Sequence, residues 1–404
     1  MQLKLLNFHK FLANFATNLV GAFIPLIIYK ATSSIYLAIG YLLLQCLSRL
    51  ICNHIFKNLY VKYPQLFLVL RVVPLLIYNI FLLFIEDQMI LSLILITICY
   101  GMNLSFKNNA QEILFNYTSG QKKSDKNLAK TRILDCVSLV ISSLSGGLFL
   151  DFNATALIII SIVLYLISVI PIFIYFITHR NQSGFNKDYV SNAVLEYEKD
   201  DEMSKKSTKI TKLVVINYFI LYMIFCGIDN FTSFHTLHMF IQNPTFTKAG
   251  YITAIFNFAK MIGLFSVEFI NKKLDLNKTI SVISVVLGLT LVGIPFISSS
   301  IVNYLLYFVF GFAYEVLSYF MMQALMAKSR IIGATNASLL ARQDGIMVGQ
   351  MLSSLSIIVT GGNIIVSFFF MLVMMIVFAI YMPVSEEKLR KKLVNYLQNN
   401  EIEN

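Results

Sequence analysis

Residues 221–240 read LYMIFCGIDNFTSFHTLHMF, and a single carboxylate, Asp229, stands in their middle. His235 and His238 follow about two and three turns later. Lys260 and Glu315 occupy runs of the same apolar and aromatic kind. An ionisable group in such a setting is half of an ion pair, or a carrier that takes up a proton and releases it. Histidine can do the second near neutral pH. For His235 and His238 the plainer alternative is an ordinary polar rim near a helix end. For Glu315 it is a structural glutamate bonded to a tyrosine or serine nearby.

Other chemistry finds no support in the residue spacing. SGQKKSD, residues 119–125, has lysines but not the glycine spacing of a phosphate loop, and it follows no strand pattern. There is no paired-histidine zinc motif and no Gly-x-Ser-x-Gly elbow. The five cysteines (Cys46, Cys52, Cys99, Cys136, Cys226) all fall in apolar runs without metal-ligand spacing. The expectation is therefore a protein that is not an enzyme, with no cofactor and no metal.

The elements that position these residues follow from composition. Of 404 residues, 57% are hydrophobic and 13% charged, about half the charge of a soluble domain, and the mean hydropathy is +0.72. Apolar runs of about 20 residues recur, each long enough to cross a bilayer as a helix. The pattern predicts an all-α polytopic membrane protein. Its twelve helices fall at about 8–29, 34–56, 65–85, 89–118, 128–150, 153–178, 212–240, 247–271, 276–298, 302–327, 335–359 and 362–384. The polar stretch 179–211 is the only long linker. It separates a first six-helix bundle, 1–178, from a second, 212–384, and 385–404 reads as an amphipathic tail lying along the inner membrane surface.

The net charge of +11 would suggest nucleic acid in a soluble chain. Here topology accounts for it, and no nucleic-acid partner is expected. About 24 of the 32 lysines and arginines lie at the N-terminus, in alternate loops or in the tail, whereas only Lys30 and Lys248 lie on the other side. Positively charged loops stay in the cytoplasm. Both termini and the linker are thus expected to be cytoplasmic, in a monomer of the cell membrane.

Depth sorts the charges within the spans. Arg49, Arg71 and Glu268 lie near helix ends, where long side chains reach the interface. Around the loop between the fourth and fifth helices, Glu112 matches Arg132 in depth and Lys107 matches Asp135, which predicts two ion pairs. Arg342 and Asp344 lie near the equivalent end of the eleventh helix. These groups read as a cytoplasmic gate or as static structural pairs. Asp229, Lys260 and Glu315 are each about 11–15 residues from a helix end, too deep to snorkel. Asp229 and Lys260 share one depth on adjacent antiparallel helices, which predicts that they pair.

The two halves echo each other. GMNLSFKNNAQ begins at Gly101 and GFAYEVLSYFM at Gly311; NLAKTRILD contains Arg132 and NASLLARQD contains Arg342. Both pairs differ by 210 positions (311 − 101 and 342 − 132). NLVGAFIPL from Asn18 sits opposite DNFTSFHTL from Asp229 after a one-residue shift. This arrangement of two six-helix halves, a cytoplasmic linker and both termini inside resembles the major facilitator superfamily over the whole chain. NKKLDLNK keeps Lys272, Lys273 and Asp275 of that family's loop signature, whereas NHIFKNLYVKYPQ has Lys57 and Lys62 but neither glycine nor aspartate. SSLSGGLFLD keeps Gly146 and Gly147 of the antiporter signature but no proline.

The resemblance implies a secondary transporter with alternating access. Helices 1, 4, 7 and 10 would line its cavity, which places Asn14, Asn18, Asn103, Lys107, Asp229, His235 and Glu315 as candidate lining residues, with Lys260 beside Asp229. It further implies that Glu112, Arg132, Asp135, Arg342 and Asp344 close the cytoplasmic side, and that a buried carboxylate couples transport to protons. The expected cargo is a small amphipathic organic molecule, with export the favoured direction. A membrane partner or sensor that does not transport, and a flippase of a lipid-linked substrate, are the competing readings.

The orientation is testable directly. A cysteine introduced at Ser204 is expected to resist an impermeant maleimide in intact cells and to label after permeabilisation. Rapid labelling of intact cells would reverse the topology.

Overall fold

The computed structural model describes residues 2–118, 120–179, 208–273, 276–297, 300–332 and 335–402, and residues 180–207 of the linker lie outside them. Among the described residues twelve helical columns form and no strand occurs. In chain order they are α1 (Gln2–Gly21 and Ile24–Thr32), α2 (Ile35–Lys62), α3 (Pro64–Leu70 and Val72–Leu83), α4 (Met89–Thr118), α5 (Gly120–Phe152) and α6 (Ala154–His179). The second half has α7 (Thr208–Phe225 and Phe231–Gln242), α8 (Phe246–Lys273), α9 (Leu276–Phe296), α10 (Ser300–Ile331), α11 (Thr335–Val359) and α12 (Ile364–Ile402). The polar eleventh helix does not stand out as a candidate span by hydropathy among the described residues. Its inward face explains this, since Arg342, Gln343, Ser353 and Ser354 are buried against other helices rather than turned to lipid.

Two proline-linked breaks interrupt the columns. Pro25 and Pro74 have no N–H to offer the carbonyl four residues earlier, and α1 and α3 break at residues 22–23 and at Arg71 respectively. The third break, in α7, has no proline. A 3-10 turn, Cys226–Ile228, followed by Asp229 and Asn230, replaces the expected continuous helix. The tail also differs from expectation. It forms no separate surface element, because α12 continues through Pro383 to Ile402 and buries Leu389 and Leu393 in the core.

The sequence repeat has a packing cause. A Cβ at Gly101 would stand 2.7 Å from the Gln45 carbonyl oxygen of α2, and one at Gly311 would stand 2.4 Å from the Phe256 carbonyl oxygen of α8. Each glycine lets the fourth helix of its half lie directly on the second. Between halves, α5 packs on α8 and α2 on α11.

The halves also meet at the charge-poor face, the one bearing Lys30, Glu86 and Lys248. Phe23 meets Phe246 edge-on at 6.2 Å, and Tyr29 meets Phe240 at 6.5 Å. Asp151, at the end of α5, accepts from the backbone N–H groups of Phe246 (3.0 Å) and Thr247 (2.8 Å) and from the Thr247 hydroxyl (2.5 Å). An aspartate of one half thus caps the first turn of a helix in the other. Ordinary caps contribute about 0.5–2 kcal/mol. Asp151→Ala is expected to destabilise the purified protein by a similar amount in thermal unfolding, and Asp151→Asn by less. An unchanged unfolding temperature for Asp151→Ala would remove the clamp.

Candidate functional site

The centre of the site forms where α7 breaks. Asn230 holds the break against α11, donating to the Gln350 carbonyl oxygen (2.9 Å), Ser354 Oγ (3.1 Å) and Ser353 Oγ (3.3 Å). Asp229 is consequently presented to neutral donors. It accepts from Tyr314 Oη at 2.5 Å and from Gln350 Nε2 at 3.0 Å. Gln350 in turn accepts from Cys46 Sγ of the first half at 3.3 Å.

The predicted Asp229–Lys260 ion pair does not form. Lys260 Nζ lies 3.5 Å from Glu315 Oε2, while Arg132 Nη1 of the first half lies 3.1 Å from Glu315 Oε1. Instead α10 supplies both partners. Tyr314 takes Asp229 and the neighbouring Glu315 takes Lys260. The ammonium also sits over the Tyr314 ring at 5.2 Å and the Phe256 ring at 5.4 Å. Tyr314 therefore links the two carboxylates, with its hydroxyl on Asp229 and its ring face toward the cation of Glu315.

The pairing expected for Asp135 differs as well. Asp135 is held by Lys10 (2.6 Å) and Asn14 (2.5 Å), both on α1, and forms no pair with Lys107. Arg132 reaches across the halves to Glu315, and the side chain of Glu112, its expected partner, lies outside those described. Of the equivalent groups in the second half, Asp344 pairs with His54 of α2 at 3.2 Å. Arg342 lies over the Tyr222 ring at 5.3 Å. Two of the gate candidates, Arg132 and Asp344, thus contact the opposite half.

Two arginines assigned to the interface are buried inside the protein. Arg49 is 8% exposed and donates to Gln343 of α11 at 3.0 Å. Arg71 is fully buried at the α3 break, donating to Asn103 Oδ1 (3.1 Å) and Thr17 Oγ1 (3.5 Å) and lying over the Tyr165 ring at 5.6 Å. Pro74, three residues on, is the sequence signal that marks this arginine as more than a helix-end residue. Gln350 carries no such signal, because glutamine in a polar helix has many uses.

The remaining candidates scatter. Asn18 is half-buried and has no side-chain hydrogen bond among the described residues. His235 is 2% exposed and bonded to Tyr307 Oη, with its ring stacked on Phe231. His235 and His238 contribute to a cavity of about 340 Å³ that also touches Lys248 and Asn303. This cavity lies within the second half toward the charge-poor face, and its lining includes neither Asp229 nor Glu315. No cluster of metal-ligating groups occurs among the described residues.

No family model and no curated protein matches this sequence. Solved structures do. The chain is similar to the nucleoside transporter NupG at 12% identity and a TM-score of 0.65, covering 96% of this chain and 98% of that one. It is similar to a bacterial homologue of the iron transporter ferroportin, in an inward-facing state, at 12% identity and a TM-score of 0.61 over 94% and 98%. A POT family transporter in complex with a thioalcohol-conjugated peptide gives 14% identity and a TM-score of 0.63 over 96% of each chain. The chain has the major facilitator fold, twelve helices in two six-helix bundles.

Removing one partner from a buried ion pair costs about 3–5 kcal/mol, much of it from the charge left behind. Glu315→Gln leaves two cations and is expected to destabilise more than Glu315→Gln combined with Lys260→Met. A double-mutant cycle on Asp229→Asn and Lys260→Met should give a smaller coupling than the Glu315–Lys260 cycle. The reverse order of coupling energies in thermal unfolding would restore the pairing read from depth alone.

Proposed function

We propose that this chain is a secondary active transporter working by alternating access, driven by protons through Asp229. The observation that carries the proposal is the polar centre between two pseudo-equivalent halves. Glu315 of the second half is shared by Arg132 of the first and Lys260 of the second, and Asp229 lies beside them on a broken helix. Broken helices at a repeat interface are where transporters of many folds bind cargo and coupling ions. Charges are retained there at considerable insertion cost, which a purely structural bundle has no reason to sustain.

The two carboxylates support different roles. Among the described residues, Asp229 is bonded by a tyrosine and a glutamine, so a proton placed on it breaks no ion pair. A proton placed on Glu315 would leave Arg132 and Lys260 without their shared counter-charge. Asp229 is therefore the coupling residue of this reading. Glu315 is the bridge whose breaking lets the halves separate. The neighbours' cargoes, by their names a nucleoside, iron and a peptide, are too diverse to fix the cargo here; the aromatic centre favours a small amphipathic organic molecule.

The test begins with a thermal-shift screen of metabolites and drugs on the purified protein. Stabilising compounds are then tested for uptake into liposomes with an imposed pH gradient. The wild-type protein is expected to accumulate at least one of them uphill. Asp229→Asn should lose uphill accumulation, by at least about tenfold on the scale of a lost coupling step, while keeping downhill exchange. Failure to translocate any stabilising compound would remove the transporter reading, and undiminished uphill uptake by Asp229→Asn would remove the coupling role.

A further inference from the structure

The interior of the first half gathers several cations. Lys10, Arg49, Arg71 and Lys107 stand there, with Asp135 among them. Asp135 is already engaged by Lys10 and Asn14. Lys107 stands on α4 one turn from Asn103, which binds Arg71, so it shares this basic interior without a carboxylate of its own among the described residues.

Two members of the group lack a counter-ion. Arg71, with no exposed surface, has only neutral partners (Asn103, Thr17 and the Tyr165 ring), and its Nη1 has no hydrogen-bond partner. The Nδ2 of Asn103 beside it is likewise buried and unpartnered. Lys107 follows Asn103 by one turn on the same face of α4. It is half-buried and forms no ion pair or hydrogen bond among the described residues. An uncompensated cation at this depth is costly, and a guanidinium and an amide with unused N–H groups are suited to carboxylate or phosphate oxygens. The second half differs. There, Lys260 is paired with Glu315 and Asp229 remains alongside.

We propose that the transported molecule is an organic anion, and that its oxyanion group, carboxylate or phosphate, is received by Lys107 with Asn103 and Arg71 behind it. The proposal rests on the transporter reading for the word transported, while the anion site itself rests on this cluster. Lys107 forms the accessible edge, and Arg71 contributes its charge from the helix break, where Pro74 and the bond to Asn103 keep it in place. An amphipathic anion would set its charged group in the first half and its apolar body against the aromatic centre of the second.

The test uses the full chain in nanodiscs of zwitterionic lipid, so that no anionic headgroup competes. The five cysteines are all buried, so a thiol-reactive dye reports unfolding. Sodium benzoate, sodium phenyl phosphate and neutral benzamide are titrated at constant sodium concentration, with chloride as the balancing anion. At least one of the two organic anions is expected to raise the unfolding temperature saturably by a few degrees. Benzamide should not, Lys107→Gln should abolish the shift, and Lys107→Arg should keep most of it. Whichever anion acts also separates carboxylate from phosphate.

Equal stabilisation by benzamide, no shift with either organic anion against the chloride background, or an undiminished shift in Lys107→Gln would overturn the proposal. A shift that depends on Lys107, without uptake of the anion into liposomes, would remove the transporter reading and leave the anion site. Uphill uptake of an uncharged compound without any anion effect would do the opposite.

Discussion

Glu315 is shared by a cation from each half, and much of the interior arrangement follows from that. A carboxylate at this depth is costly alone, and Arg132 and Lys260 are no cheaper. Placed together they offset one another, but only while the halves are in contact, because Arg132 belongs to α5 and Lys260 to α8. These two helices form the most extensive contact between halves. The same requirement orients Tyr314, whose ring takes the back of Lys260 and whose hydroxyl is then free for Asp229. One ion bridge thus determines which carboxylate has cationic partners and which has neutral ones.

The three helix breaks position the residues that such an interior needs. Arg71 occupies the break in α3 and Asp229 directly follows the 3-10 turn in α7, while the break in α1 lies one turn beyond Thr17 and Asn18. A broken helix frees carbonyls and N–H groups that protein neighbours must satisfy. Asn230 illustrates the cost, since its amide makes three bonds to α11 to hold one turn in place. The halves are alike in helix order and in their packing glycines, yet they differ in charge. The interior of the first is basic, and that of the second pairs its charges more evenly.

Much of the fold was legible from the sequence. The number and length of the spans follow from the cost of placing polar groups in a bilayer, which acts on every residue. The repeat was readable at Gly101 and Gly311 because both need the same close helix contact. The site was readable only in part. Depth along a helix put Asp229 level with Lys260 and Glu315 in mid-span, but depth does not give azimuth, so Lys260 was matched to Asp229 rather than to Glu315. The break at Asp229 has no proline to announce it. Arg71 looked like an interfacial residue because its distance from the helix end was counted without the break that turns it inward.

Spin–spin distances between the basic ends of the halves test the central claim most directly. Labels at Ile55 of α2 and Ile331 of α10, both exposed, report separation of the halves in nanodiscs. If the Arg132–Glu315 bridge holds them together, Glu315→Gln shifts the distance distribution toward longer values, and Arg132→Gln produces the same shift. A distribution that neither substitution alters, in protein that remains folded, would mean that the bridge is static and that the halves are held by other contacts.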